Sequence, residues 1–168
     1  MCSSDLMDAL AQRFAADPGW NGGHYYGRGT LATMVELRAE TLRGYGIEQE
    51  LAARFPDPAA RDAEIMRIAR AWADEFDAPS LLVLGRAANA YDATPLVARI
   101  RARVLYVLSR TDALFPPSLA PDVMAALRGA GVDARYAEID SEHGHLASGT
   151  DARKWEPTLR AFMAEIAG

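Results

Sequence analysis

The stretch Arg103-Val-Leu-Tyr-Val-Leu-Ser109, continued by Arg110-Thr-Asp-Ala-Leu-Phe-Pro-Pro117, decides the fold together with a later counterpart. That counterpart is Asp133-Ala-Arg-Tyr-Ala-Glu-Ile-Asp140, followed by Ser141-Glu-His-Gly-His145. The first is a compact apolar run, the pattern of a strand buried on both faces of a parallel sheet. The second alternates with period two, which suits a strand nearer the sheet edge. Between them, Leu119 to Arg128 has helical periodicity and ends at Gly129 and Gly131. A closing helix from Trp155 to Ile166 sets Leu159, Phe162 and Ile166 on one face. Strand, helix and strand in this order predict a right-handed βαβ unit. Two strands make a poor free-standing sheet, so the unit is expected to need neighbours that this chain does not supply.

Upstream of Ala93 the pattern is helical. Leu6, Leu10 and Phe14 recur on one face before Asp17-Pro-Gly19 stops the helix, and Trp20 to Gly29 is a glycine-punctuated aromatic loop. Thr30 is placed to cap a helix carrying Leu31, Met34, Leu37, Leu42 and Tyr45. Ile47, Leu51 and Phe55 mark a short helix. Asp57 and Pro58 begin a long one through Ile65, Ile68, Ala69, Trp72 and Phe76, with proline suited to the first turn. Pro79 and Ser80 open another, with Leu81, Leu84, Ala88 and Tyr91 expected inside. Short loops between these segments predict an antiparallel bundle. Met1-Cys-Ser-Ser-Asp-Leu6 resembles a translated sequencing adapter. The expected plan is therefore an adapter remnant over 1–6, a helical region over 7–93 and an α/β region over 94–168, in the downstream part of a longer reading frame. The other reading of the start makes Ser4 or Asp5 an N-cap.

Composition excludes several classes. The 168 residues are 50% hydrophobic and 24% charged, which is ordinary for a globular domain and unlike a disordered or repetitive chain. Eighteen Lys and Arg against 23 Asp and Glu give a net charge of -5, so a nucleic-acid partner has no support. No apolar run approaches the roughly 20 residues of a membrane-spanning helix, so no membrane partner is expected. The single cysteine, Cys2, cannot form an internal disulfide, and no Cys/His spacing suits a metal. A cytoplasmic protein without metal is the expectation.

Chemistry is expected where ligands gather in open parallel sheets, just beyond the carboxyl ends of the strands. Asp112 lies three residues past the first strand and His145 on the loop after the second. A carboxylate and an imidazole from adjacent strand ends can meet. The carboxylate then fixes the ring tautomer and stabilises the imidazolium formed when a serine gives up its proton. The order Ser, Asp, His of an α/β-hydrolase leaves Asp112 and His145 the last two places. No Gly-x-Ser-x-Gly elbow occurs, and Ser148 in Leu146-Ala-Ser-Gly149 follows the histidine and lacks the preceding glycine.

The chain resembles the homoserine O-acetyltransferase branch of the α/β-hydrolase superfamily from about Asp17 to its end. The resemblance rests on Asp17-Pro-Gly-Trp-Asn-Gly-Gly-His-Tyr25, Phe76-Asp-Ala-Pro-Ser-Leu81, Thr111-Asp-Ala-Leu-Phe-Pro-Pro117 and Glu138-Ile-Asp-Ser-Glu-His-Gly-His145. It implies a partial α/β-hydrolase fold, in which a helical lid precedes the last βαβα of the core sheet. It makes Asp112 the triad aspartate and His145 the triad histidine. It implies small-molecule partners, a thioester acyl donor such as acyl-CoA as co-substrate and a hydroxyl acceptor, with no permanently bound cofactor. The acyl group would pass through a serine in ping-pong fashion. In two places the sequence departs from the family. Leu146 stands where an aspartate usually holds the acceptor's amino group, and Thr33 where an arginine usually binds its carboxylate. Buried charges need partners, so these departures argue against homoserine and for a less charged alcohol or water.

Plainer readings stand beside these. Asp112 on its own is a turn former, and His143 and His145 are surface loop residues. His24 is a packed loop residue, while Trp20, Tyr25 and Tyr26 either anchor the loop or line an acyl tunnel. A non-enzymatic reading makes the bundle a homodimerisation module, favoured if Leu31, Met34, Leu37 and Leu42 form an exposed stripe. A third reading recruits Ser148 or Cys2 as the nucleophile of an independent esterase. The main expectation is that this chain alone is inactive, because the serine and its oxyanion donors lie elsewhere.

Overall fold

The computed structural model describes residues 3–167, with side chains from Leu6 to Ile166. Cys2 and the capping side chains of Ser4 and Asp5 lie outside the described residues. The chain divides into two compact units. One gathers the chain up to Leu42 and Phe55–Tyr91, and the other Arg43–Arg54 and the chain from Asp92 onward.

The first unit is helical: α1 (Ser3–Ala16), α2 (Ala32–Gly44, whose last two residues fall in the second unit), α4 (Pro58–Glu75) and α5 (Ala78–Ala90). Side chains set their limits. Asp57 accepts from Ala60 N at 2.8 Å and Asp77 from Ser80 N at 2.7 Å, each just before a proline-bearing first turn. Two helical phases differ from the periodicity. On α1 the buried set begins at Met7 and includes Phe14, while Leu6 is 59% exposed. On α5, Ala78 and Leu82 are buried whereas Leu84 and Tyr91 face solvent. The phase of α5 follows from its first turn, where the Tyr25 hydroxyl accepts from Ala78 N at 2.9 Å. Farther along, Met7 of α1 packs against the bare Gly85.

Capping of α2 also differs from expectation. The Thr30 hydroxyl donates to Asp74 instead. Its place is taken by Asp17, whose carboxylate accepts from Gly19 N and, across 16 residues, from Thr33 N, both at 2.8 Å. The aromatic loop anchors the unit: Phe14, Trp20, Tyr25 and Tyr26 stack in succession, and both tyrosine hydroxyls donate to Asp77. Leu31, Met34 and Leu42 are buried, so the exposed stripe that would favour self-association is not present there.

In the second unit, β1 (Val104–Ser109) and β2 (Ala134–Ile139) pair in parallel, with Val104 opposite Ala134 and Ser109 opposite Ile139. Helix α6 (Ala120–Gly129) connects them and ends in a Schellman motif, with Val132 N donating to Leu127 O and Gly131 N to Arg128 O. Met124, Leu127, Val132 and Ala134 form its core, against Val97, Val104, Tyr106 and Tyr136. The sequence predicts β1 buried on both faces, yet only Leu108 and Ser109 are buried. The described sheet has two strands and cannot cover the rest. The chain closes with the short α7 (Ala147–Thr150) and with α8 (Ala152–Ala167), where Phe162 is buried but Ile166 is 45% exposed, against the expected inward face.

Residues 43–54, which periodicity groups with the bundle, pack in the second unit through α3 (Ile47–Leu51), whose Ile47 and Leu51 are buried. Here two backbones meet. Gly46 has φ +91° and Gly144 φ +54°. A Cβ on Gly144 would lie 3.0 Å from Tyr45 O, and one on Gly46 3.3 Å from His143 O.

Two stability predictions follow from these contacts. Asp17→Ala should lower stability by about 1 kcal/mol in urea denaturation at neutral pH. Burial works against the charged form of Asp17, but the Thr33 and Gly19 N–H groups outweigh it and hold its carboxyl below the ordinary range. Its contribution is therefore complete above the unfolded value of about 4, and the gap between wild type and variant should close as pH falls through the folded value. Gly144→Ala meets both the left-handed backbone and the Tyr45 carbonyl, and should cost about 1–3 kcal/mol in the same assay.

Candidate active site

Because Ser109 and Ile139 are register partners, the loops after β1 and β2 leave the sheet at one level. Thr111 staples them, its hydroxyl donating to Ser141 O at 2.7 Å and accepting from Gly144 N at 3.1 Å. Arg110 adds ion pairs to Asp140, at 2.8 Å, and to Glu142. Ser141 is 1% exposed, and its hydroxyl accepts from His143 N.

Asp112 sits in the turn that this frame creates. Its Oδ1 accepts from Leu114 N at 2.8 Å and from Phe115 N at 3.0 Å, and its Oδ2 lies 2.8 Å from His145 Nδ1. Burial pushes the Asp112 carboxyl up. The Phe115 N–H, the His145 ring and the Leu114 N–H together outweigh it and hold the group below its ordinary range. An ionised carboxylate only accepts, so Nδ1 carries the proton in this contact and Nε2 is the ring nitrogen turned away from Asp112.

The ring of His145 neighbours two aromatic rings, Tyr45 with centroids 4.6 Å apart and Phe115 at 5.5 Å. Its backbone N–H donates to Tyr45 O at 3.1 Å. The imidazole is 29% exposed, against 8% for its carboxylate partner. Both border a cleft of about 620 Å³, lined also by Leu105 to Ser109, Ile139, Ser148 and Trp155. The arrangement can take a proton from a hydroxyl at Nε2 and hold it, with Asp112 balancing the imidazolium charge.

The two residues singled out by position are thus in direct contact. His143 is elsewhere: its Nδ1 lies 3.3 Å from Glu50 Oε2, misaligned for a hydrogen bond, while the same oxygen accepts from the Thr150 hydroxyl. Ser148 borders the cleft, but among the described residues no hydrogen bond joins its hydroxyl to His145. Leu146 is half-buried in the turn after His145, and Thr33 is buried in the first unit. Sequence reasoning missed Thr111, Phe115 and Tyr45. The hydroxyl beside Asp112 and the glycines bracketing Tyr45 were the available signals. Among the described residues no group of acidic, histidine and cysteine side chains is placed to hold a metal, and no helix is long and apolar enough to cross a membrane.

No protein-family profile matches the chain. It is 30% identical to the homoserine O-acetyltransferase of Symbiobacterium thermophilum, over 92% of this chain and 46% of that protein. It is also 30% identical to the serine O-succinyltransferase of Xanthomonas campestris, over 89% of this chain and 48% of that protein. Among solved structures it superposes on esterase E22 with a TM-score of 0.76 at 18% identity, covering 95% of this chain and 50% of the other. On the homoserine O-acetyltransferase of Bacillus anthracis the TM-score is 0.74 at 20% identity, covering 96% and 48%. The chain spans about half the length of the curated relatives it matches. It carries part of an α/β-hydrolase fold and is similar, over most of its length, to the homoserine O-acetyltransferases.

Proposed function

We propose that this chain is the C-terminal part of an O-acyltransferase of the homoserine O-acetyltransferase type, with a serine nucleophile and oxyanion donors supplied by residues outside it. The 2.8 Å contact between Asp112 Oδ2 and His145 Nδ1 carries the reading. In the first half-reaction His145 Nε2 takes the proton of the serine hydroxyl as its oxygen attacks the carbonyl of an acyl thioester such as acyl-CoA. The C–S bond breaks, and the imidazolium returns the proton to the departing thiolate. In the second half-reaction Nε2 deprotonates the acceptor hydroxyl, which attacks the acyl-serine ester, and the proton goes back to the serine oxygen. Asp112 keeps Nδ1 protonated throughout and offsets the charge on the ring. A thioester is consumed in each turnover as co-substrate, and the chemistry calls for no resident cofactor.

A second reading, hydrolysis of the acyl-enzyme by water, is favoured by Leu146 and Thr33, which offer no charge to a zwitterionic acceptor. Likeness of the fold to an esterase agrees with it. The two readings differ in product: acylated alcohol in one, free acid in the other.

Intact-mass measurement of the 168-residue chain after incubation with acetyl-CoA should find no acyl adduct, and an adduct mapped to one of its own residues would refute an external nucleophile. In a protein that joins this chain to a serine elbow, Asp112→Asn should lower kcat about 10⁴-fold without disturbing the fold, and His145→Ala should do at least as much. Retention of activity in either variant would remove these two residues from the mechanism.

A further inference from the structure

We propose that Tyr45 is a positioning residue for His145, acting from the far end of the sequence through both its main chain and its ring. The proposal deepens the reading of His145 as the base and rests on it.

Hydrogen bonding to Asp112 fixes one atom of the imidazole, Nδ1, and leaves the ring free to swing about that contact. A base that must meet a reacting hydroxyl at Nε2 needs its plane fixed as well. Three contacts from residues 43–54 supply this. The Tyr45 carbonyl accepts from His145 N at 3.1 Å and sets the backbone from which the side chain departs. The Tyr45 ring lies with its centroid 4.6 Å from that of the imidazole, tilted by 42°, while Phe115 lies at 5.5 Å with the same tilt. The reciprocal glycines Gly46 and Gly144 let the two backbones come this close. The segment is itself held, by buried Ile47 and Leu51 and by Glu50 accepting from the Thr150 hydroxyl just beyond the histidine.

The test is ¹⁵N and proton NMR of the full chain, whose three histidines make the imidazole signals assignable. In wild type, His145 should show a protected Nδ1 proton and an unprotonated Nε2, and Asp112→Asn should remove that protection. Tyr45→Ala should speed exchange of the Nδ1 proton about three- to ten-fold, the range expected for loss of an aromatic pair, while backbone amide exchange elsewhere stays as in wild type. Tyr45→Phe should restore wild-type protection, since the ring face and not the hydroxyl is invoked. Tyr45→Leu, which fills the space without a ring, serves the same purpose should the alanine variant not fold. Wild-type protection in a folded Tyr45→Ala or Tyr45→Leu chain would overturn the role of Tyr45 and leave the Asp112–His145 pair standing. Faster exchange in Tyr45→Phe would overturn it equally. Absence of a protected Nδ1 proton from wild type would instead bring down the pair itself, and this inference with it.

Discussion

The hydrogen bond from His145 Nδ1 to Asp112 depends on a register. Parallel pairing of β1 with β2 ends with Ser109 beside Ile139, so an aspartate three residues past one strand and a histidine six residues past the other emerge from the same rim. A slip of one residue would turn every side chain of one strand to the opposite face and separate the loops. The Thr111 hydroxyl, bonded to both Ser141 O and Gly144 N, ties the loops together at the point where such a slip would act. Two backbone N–H groups face the other oxygen of Asp112 and, together with the imidazole, keep the carboxylate ionised. The carboxylate is thus a fixed charge against which the ring can gain and lose a proton.

Much of this was legible because strand alternation and strand-end position are local properties. Both strands, the helix between them and the pair Asp112 and His145 follow from runs of ten residues or fewer. What was not legible depends on contacts remote in the chain. Periodicity identifies α1 and α5 as helices but does not select between neighbouring phases when apolar residues occur on several sides. The choice of Met7 over Leu6, and of Leu82 over Leu84, is made by packing and by a tyrosine that orients the first turn of α5. Thr30 satisfies the local rule for a cap, yet Asp17 performs the task from 16 residues away. Tyr45 is the sharpest case. By spacing it is one more apolar helix residue, and only the approach of two backbones at Gly46 and Gly144 reveals what it faces.

The same glycine contact explains why His145 is preceded by glycine in this chain. Gly144 keeps the space beside Tyr45 O empty, which lets the next residue donate its N–H to that carbonyl. Chemistry at the ring and packing at the backbone are thus set by adjacent residues with different duties.

The uncovered side of β1 has a practical consequence. Val104 N and Arg110 N donate to the carbonyls of Asp133, just before β2, and of Ile139, so by alternation the amide and carbonyl groups of Leu105 and Val107 point away from the sheet. An apolar strand with a row of unsatisfied main-chain groups is a template for pairing with any extended segment it meets, including another molecule of its own kind. Isolated at high concentration, the polypeptide is therefore at risk of edge-to-edge aggregation, and a lysine or proline placed on that margin is the remedy that sheet proteins themselves employ.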